Sequence, residues 1–138
     1  MKTARRILEE NGYTCVLRKG KILHITTERG VKPLVRWLSE GVDARDFSAA
    51  DKVVGKATAY LYVLLGVKEV YAHIMSVSAA EVLARHGITA AQGALVEYII
   101  NRQGTGICPF EAAVLDIHTP EEALTVIREK MQEMNISL

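Results

Sequence analysis

Ser48-Ala49-Ala50-Asp51-Lys52-Val53-Val54-Gly55-Lys56-Ala57-Thr58-Ala59-Tyr60-Leu61-Tyr62-Val63-Leu64-Leu65-Gly66 is the stretch on which the architecture turns. Ser48 and Asp51 stand at capping-box spacing and Gly66 follows the last apolar residue, so Ser48 to Leu65 is expected to form one central helix. From Ala57 onward it is apolar on every side, which predicts burial between layers. On that helix Lys52 and Lys56 fall one turn apart on the same face, near the N-terminal end, where the helix dipole repels positive charge. An anion is expected beside them. Either Asp51 and a second carboxylate neutralise them, or they hold a phosphate or sugar-phosphate, with Gly55 allowing its close approach.

Working outward toward the N-terminus, Ala4, Ile7 and Leu8 have helical spacing over Thr3 to Asn11, and Gly12 stops that helix. Tyr13 to Leu17 and Ile22 to Thr26 then read as a hairpin around Arg18-Lys19-Gly20-Lys21, and Pro33 opens a short helix that closes at Gly41. Downstream, Glu69 to Ile74 is a core strand, followed by a helix from Val77 to His86 that Gly87 ends. Ile88 to Gln92 and Val96 to Asn101 are expected as two further short strands. A Gly-rich loop, Gln103-Gly104-Thr105-Gly106, leads to a helix from Pro109 to about Asp116. Thr119-Pro120-Glu121-Glu122 starts the last helix, through Met131. This order predicts an α/β fold with a mixed five-stranded sheet and helices on both faces.

At 138 residues with 49% hydrophobic content, the chain is expected to be a single domain, residues 1–138, able to fill its core without disulfides or metals. Its charges nearly cancel, to a formal +1, and no Lys or Arg run is long enough to neutralise a row of phosphates, so no nucleic-acid partner is expected. Only Cys15 and Cys108 are present, without Cys-x-x-Cys spacing, which predicts a reduced, cytoplasmic setting and no structural zinc. The charged amphipathic N-terminus, with no apolar run behind it, is not expected to be a signal peptide. The longest uncharged stretch, Ala57 to Val67, is about half the length needed to cross a bilayer, so no membrane association is expected.

Val54-Gly55-Lys56-Ala57-Thr58-Ala59-Tyr60-Leu61 resembles the first motif helix of cytidine deaminases, which runs Cys-Ala-Glu-Arg-Thr-Ala-Ile-Phe or close variants. Met75-Ser76-Val77-Ser78-Ala79-Ala80-Glu81-Val82-Leu83 resembles their Pro-Cys-Gly-Ala-Cys-Arg-Gln-Val-Leu helix, which also follows a core strand. In that alignment the zinc ligands become Val54, Ser76 and Ala79, and the catalytic Glu becomes Lys56. Val, Ser, Ala and Lys cannot hold the metal or move the proton as that chemistry requires. Asp51-Lys52-Val53-Val54-Gly55-Lys56-Ala57, Asn101-Arg102 and Cys108-Pro109-Phe110-Glu111 are closer to a small prokaryotic family of unknown function with a cytidine deaminase-like fold. That resemblance implies a three-layer deaminase-like domain with no zinc site, no cofactor and no assigned activity; it also implies a homo-oligomer.

Lys56 stands where the fully apolar part of the helix begins. Partial burial would lower its pKa and make the amine a nucleophile toward an aldehyde; an ordinary structural lysine is the alternative. Cys108 is expected at the N-cap of the helix that Pro109 opens, where the dipole favours a thiolate, or simply packed against the sheet. Glu111 at N3 would then reach back to the N-cap backbone, or act as an acid or as a partner for Lys52 or Lys56. Asn101 and Arg102, beside Gly104 and Gly106, are placed at a strand end where α/β folds often bind ligands, or are simply solvated. The scattered His24, His73, His86 and His118 read as structural, with His73 nearest the second motif. Trp37 and Tyr60, Tyr62 and Tyr71 read as core or subunit contacts.

Three functions follow. The first is a binding protein whose zinc-free pocket uses Asp51, Lys52, Gly55, Lys56, Ser76 and the 101–111 segment for a nucleotide or sugar-phosphate. The second is an enzyme with Lys56 or Cys108 as nucleophile and Glu111 or Asp51 as acid and base. The third is a structural or interaction module, favoured if Tyr62 and Trp37 line a subunit interface.

Overall fold

The computed structural model describes residues 1–138. Helix α1 (Lys2–Asn11) and the hairpin β1 (Cys15–Lys19) and β2 (Ile22–Thr26) lead to α2 (Lys32–Ser39). Then come β3 (Ser48–Val54), α3 (Lys56–Leu65), β4 (Glu69–Ser76), α4 (Val77–Arg85) and β5 (Thr89–Val96), two strand-helix units in succession. The chain closes with α5 (Pro109–Ala113) and α6 (Pro120–Glu133). The strands form one mixed sheet in the order β2-β1-β3-β4-β5, with β1 antiparallel to both neighbours and β3, β4 and β5 mutually parallel.

Strand alternation sorts the core into two layers. Val16, Ala50 and Tyr71, aligned across three strands, pack against Ala4 and Leu8 of α1. Their neighbours Leu17, Ala49, Val70 and Ala72 point the other way into a larger core with α2, α3, α4 and α6. The α/β class, the mixed five-stranded sheet and helices on both faces are as expected, although α1 alone covers its side.

The expected central helix is divided. Ser48–Val54 is a strand, and helix begins only at Lys56, with Gly55 as N-cap in an extended conformation. The capping-box spacing is coincidental: the Ser48 hydroxyl donates to the Glu69 carboxylate on β4. Asp51 faces α3, not solvent. β3 is paired on both edges, by β1 and by β4, so its backbone groups are satisfied by long-range partners that outweigh the local helical signals. Lys52 and Lys56 are therefore not on one helical face. Lys52 lies exposed on the strand, and Lys56 is the first residue of α3.

The last two predicted strands are also redrawn. β5 runs Thr89–Val96 as one parallel edge strand, and the expected second strand, Val96 to Asn101, does not form: Val96 ends β5, and beyond it Ile100 makes only an isolated bridge to Ile107. Ala and Gly dilute the β signal, yet Gly93 is required where it stands. A Cβ there would lie 2.9 Å from the His73 carbonyl oxygen of β4. At that level alternation slips: Lys52 and Val53 on β3 are both exposed, and on β4 His73 is half-exposed and Ile74 exposed.

Behind β3 lies a buried polar cluster. The Tyr62 hydroxyl donates to Asp51 Oδ2 at 2.6 Å and lies 3.0 Å from Cys15 Sγ, tying α3 to β3 and β1. Tyr62 and Trp37 are thus core residues rather than subunit contacts. Burial raises the Asp51 carboxyl to about 6, against hydrogen bonds that favour the anion, chiefly from Tyr62. The folded chain then binds this proton more tightly than the unfolded chain does. The contribution is most favourable at acid pH and is lost as pH rises from about 4 to about 6. Asp51→Asn keeps an acceptor for Tyr62 but cannot ionise. Urea denaturation should show the variant gaining, relative to the parent, about 2 kcal/mol between pH 4.5 and 7.5; an equal difference at the two pH values would mean that Asp51 titrates normally.

Candidate functional site

Val54 and Met75 are register partners at the carboxyl ends of β3 and β4, and each strand turns almost directly into a helix. The N-termini of α3 and α4 consequently come together at one end of the sheet, where unpaired amides and helix dipoles favour polar ligands. Ser76 caps α4, its Oγ accepting the Ala79 N–H at 3.2 Å. Gly55, the N-cap of α3, has no side chain to do the same.

The missing cap comes from α5. Glu111 is buried, and its Oε2 accepts the Lys56 backbone N–H at 2.8 Å across 55 positions of sequence. It does not reach back to the N-cap of its own helix as expected; the five-residue α5 acts as a bracket that delivers this carboxylate to α3. Gly55 makes room for it. A Cβ at that position would stand 2.7 Å from Glu111 Cδ and 2.8 Å from Oε1, so the glycine answers a steric demand and not a special backbone angle. Glu111 Oε1 is buried with no hydrogen-bond partner, the sole side-chain atom of the chain in that position. Such an oxygen costs about 1–3 kcal/mol unless something donates to it.

Lys56 extends from the same spot. Its ammonium donates to the Leu115 carbonyl at 3.0 Å and lies 6.0 Å from the centre of the Tyr60 ring. Burial, followed by the nearby Arg85 charge, pushes its pKa down, while Asp116, Glu111 and Glu81 oppose the fall. Tyr60 donates to the Ile117 carbonyl at 3.0 Å and receives Arg85 Nη2 at 3.5 Å. Arg85 and Tyr60 were not singled out from the sequence as site residues. Tyr60 is four positions after Lys56 on a helix and was legible as its neighbour; nothing local marks Arg85.

The other candidates disperse. Asp51 is engaged with Tyr62 behind the sheet, and Lys52 is exposed on the strand, away from the Lys56 amine. Asn101 and Arg102 sit in a loop and not at a strand end. Asn101 spends its side chain on that loop, accepting the Thr105 N–H at 3.0 Å and donating to Thr105 Oγ1 at 3.1 Å, and Arg102 is exposed. Gly104, at φ 70°, and Gly106 shape the turn, and both are exposed. Cys108 is the N-cap of α5, half-buried against the main core. His73 is partly exposed and 3.8 Å from Glu9 on the α1 side. No three His, Cys, Asp or Glu side chains are grouped to hold a metal ion. An open, polar depression of about 310 Å³ lined by Lys19, Asp43, Arg45, Asp46 and Gly66 lies at the opposite end of the sheet, far from Glu111.

A family model described as "Domain of unknown function (DUF1893)" matches residues 3–131. The crystal structure of a DUF1893 family protein from Thermotoga maritima, determined at 2.70 Å, superposes with a TM-score of 0.87 at 23% identity, covering 94% of this chain and 88% of that one. No curated protein matches. The structural likeness, at this identity, concerns the fold.

The steric pairing of Gly55 with Glu111 makes a measurable coupling. Gly55→Ala should displace the Glu111 carboxylate and lower stability by about 1–3 kcal/mol. In the Gly55→Ala, Glu111→Ala double variant the added methyl has space. Denaturant titration should therefore find it less destabilised than the sum of the single changes, by on the order of 1 kcal/mol; strict additivity would contradict the contact.

Proposed function

This chain belongs to the DUF1893 family, and from that premise we propose that it is a small-molecule-binding domain whose ligand, of nucleoside or sugar class, donates an N–H or O–H to Glu111 Oε1. The observation that carries the reading is the buried, unpartnered oxygen at the carboxyl ends of two parallel strands, beside two helix N-termini. Folds of this kind place ligands at that position, and a native site with one unsatisfied carboxylate oxygen fits a missing donor.

The cytidine deaminase-like reading is part of the same proposal. It is supported by the sheet order, and by the start of α3 and α4 directly after parallel neighbouring strands. In that resemblance the two thiolate positions of the second motif are Ser76 and Ala79, here joined to each other as a helix cap. Lys56 stands in place of the catalytic Glu, and Glu111 brings a carboxylate back to the amide of that same residue. A carboxylate thus remains without the metal ligands, which suits recognition of a donor edge better than hydrolytic deamination.

A phosphate on the ligand would not be held as the sequence suggested. Glu111 already neutralises the start of α3, and Lys52 is on another surface. Lys56, with Arg85 nearby, remains as the cationic element. The Glu97-to-Cys108 loop adjoins the site through α5, and its hydrogen bonds close within itself or onto α5, so this loop is the segment proposed to move on ligand entry. A second reading draws on the lowered pKa of Lys56: its amine attacks an aldehyde, forming a C=N bond and releasing the carbonyl oxygen as water.

Thermal unfolding with a panel of nucleosides, their monophosphates and hexose phosphates tests the binding reading. A ligand should raise Tm by several degrees at saturating concentration. Glu111→Gln, which retains an oxygen for the Lys56 amide, should lose most of that rise; an undiminished rise in the variant, or none with any member of the panel, counts against Glu111 as the anchor. A stable adduct with a simple aldehyde under borohydride, mapping to Lys56, would favour the second reading.

A further inference from the structure

The sheet ends on one side in β5, and this edge lacks the usual protections. Thr89-Ala90-Ala91-Gln92-Gly93-Ala94-Leu95-Val96 contains no charge and no proline, and all eight residues are exposed or half-exposed. Edge strands ordinarily carry lysine, proline or a covering segment, because their free N–H and C=O groups pair with any available strand. The other edge, β2, is shorter at five residues and is turned by Lys19-Gly20-Lys21.

Apolar side chains gather at the carboxyl end of β5 as well. Ile74, Val77, Leu95, Tyr98, Ile100 and Ile107 are each between 37% and 55% exposed. For side chains of this size that is on the order of 500 Å² of exposed surface, to which the small residues of β5 add. A standard interface takes about 800 Å² per partner, so the available surface is close to what a stable pair of chains needs.

We propose that β5 pairs antiparallel with β5 of a second copy of this chain about a two-fold axis, joining two five-stranded sheets into one. An isologous contact requires a surface complementary to itself, and an uncharged strand of small residues meets that condition at its centre. The flanking charges meet it at the ends. Full overlap sets Thr89 opposite Val96, which brings exposed Glu97 of one copy beside the exposed Arg85-His86 of the other, acid against base at both ends. This inference goes beyond the ligand reading and rests on the unprotected β5 edge, although Arg85 and the loop bearing Tyr98, Ile100 and Ile107 also adjoin the proposed site.

Sedimentation velocity on the full chain at tens of micromolar tests it. The unmodified chain should sediment as a dimer, and Ala94→Lys, which sets like charges near the axis, should weaken the dimer at least 100-fold while leaving circular dichroism unchanged. Leu95→Arg, at the rim, provides a second variant should Ala94→Lys fail to fold. Leu23→Lys, on the β2 edge, should remain dimeric. A monomer at 100 µM, a dimer indifferent to both β5 variants, or one broken instead by Leu23→Lys would each overturn the proposal, the last pointing to the opposite edge.

Discussion

A carboxylate pressed against a glycine at the start of a buried helix is the constraint around which this end of the molecule is arranged. α3 is apolar on nearly all sides and lies between the sheet and the other helices, so its first amides have no water to turn to. Gly55 offers no side chain, and a capping Ser or Asp there would occupy the space that Glu111 fills. α5 is accordingly short and fixed, with Phe110 anchored in the main core and Glu111 aimed at the Lys56 N–H. One oxygen satisfies the helix and the other is left over. A group supplied by α3 itself would have been simpler, and the indirect arrangement leaves a buried acceptor without a donor.

The polar cluster of Asp51, Tyr62 and Cys15 does separate work on the same helix. It ties α3 to the middle of β3 and the first residue of β1, whereas Glu111 ties the beginning of α3 to α5. Asp51 is answered by a phenol inside the core, and Glu111 by a backbone amide at a helix start. The charged depression near Asp43 and Arg45 belongs to the other end of the sheet and shares no residue with either.

Much of the fold was legible because its signals are local. The N-terminal helix, the basic hairpin turn, the Val77 helix and the Thr119-Pro120 start depend on caps, glycines and apolar spacing within a few residues, and each forms close to where those signals lie. Ser48 to Val54 failed for the opposite reason. Its alternation is carried by alanines and an inward Asp, and only pairing with Cys15 and Ala72, far away in sequence, makes it a strand. That error generated the paired-lysine site. Gly55, Lys56, Ser76 and Glu111 were legible as candidates, but the target of Glu111 was not, since a contact over 55 positions leaves no local trace. DUF1893 membership, with residues 3–131 matched, fits the reading of an unassigned family.

The spacing of the parallel strands has a consequence for how the chain reaches this state. Ser48 pairs with Glu69, 21 positions on, and Glu69 with Thr89, 20 positions on, so the two crossover units close loops of nearly equal and modest length. Cys15 must wait for Asp51, 36 positions away, and Glu111 must return across a longer span still. Loop-closure entropy grows with that span. The order of assembly it favours begins with the β3-to-β5 half, adds the hairpin, and sets the carboxylate after both. During folding, the amino end of α3 therefore stays open to solvent until the sheet has formed.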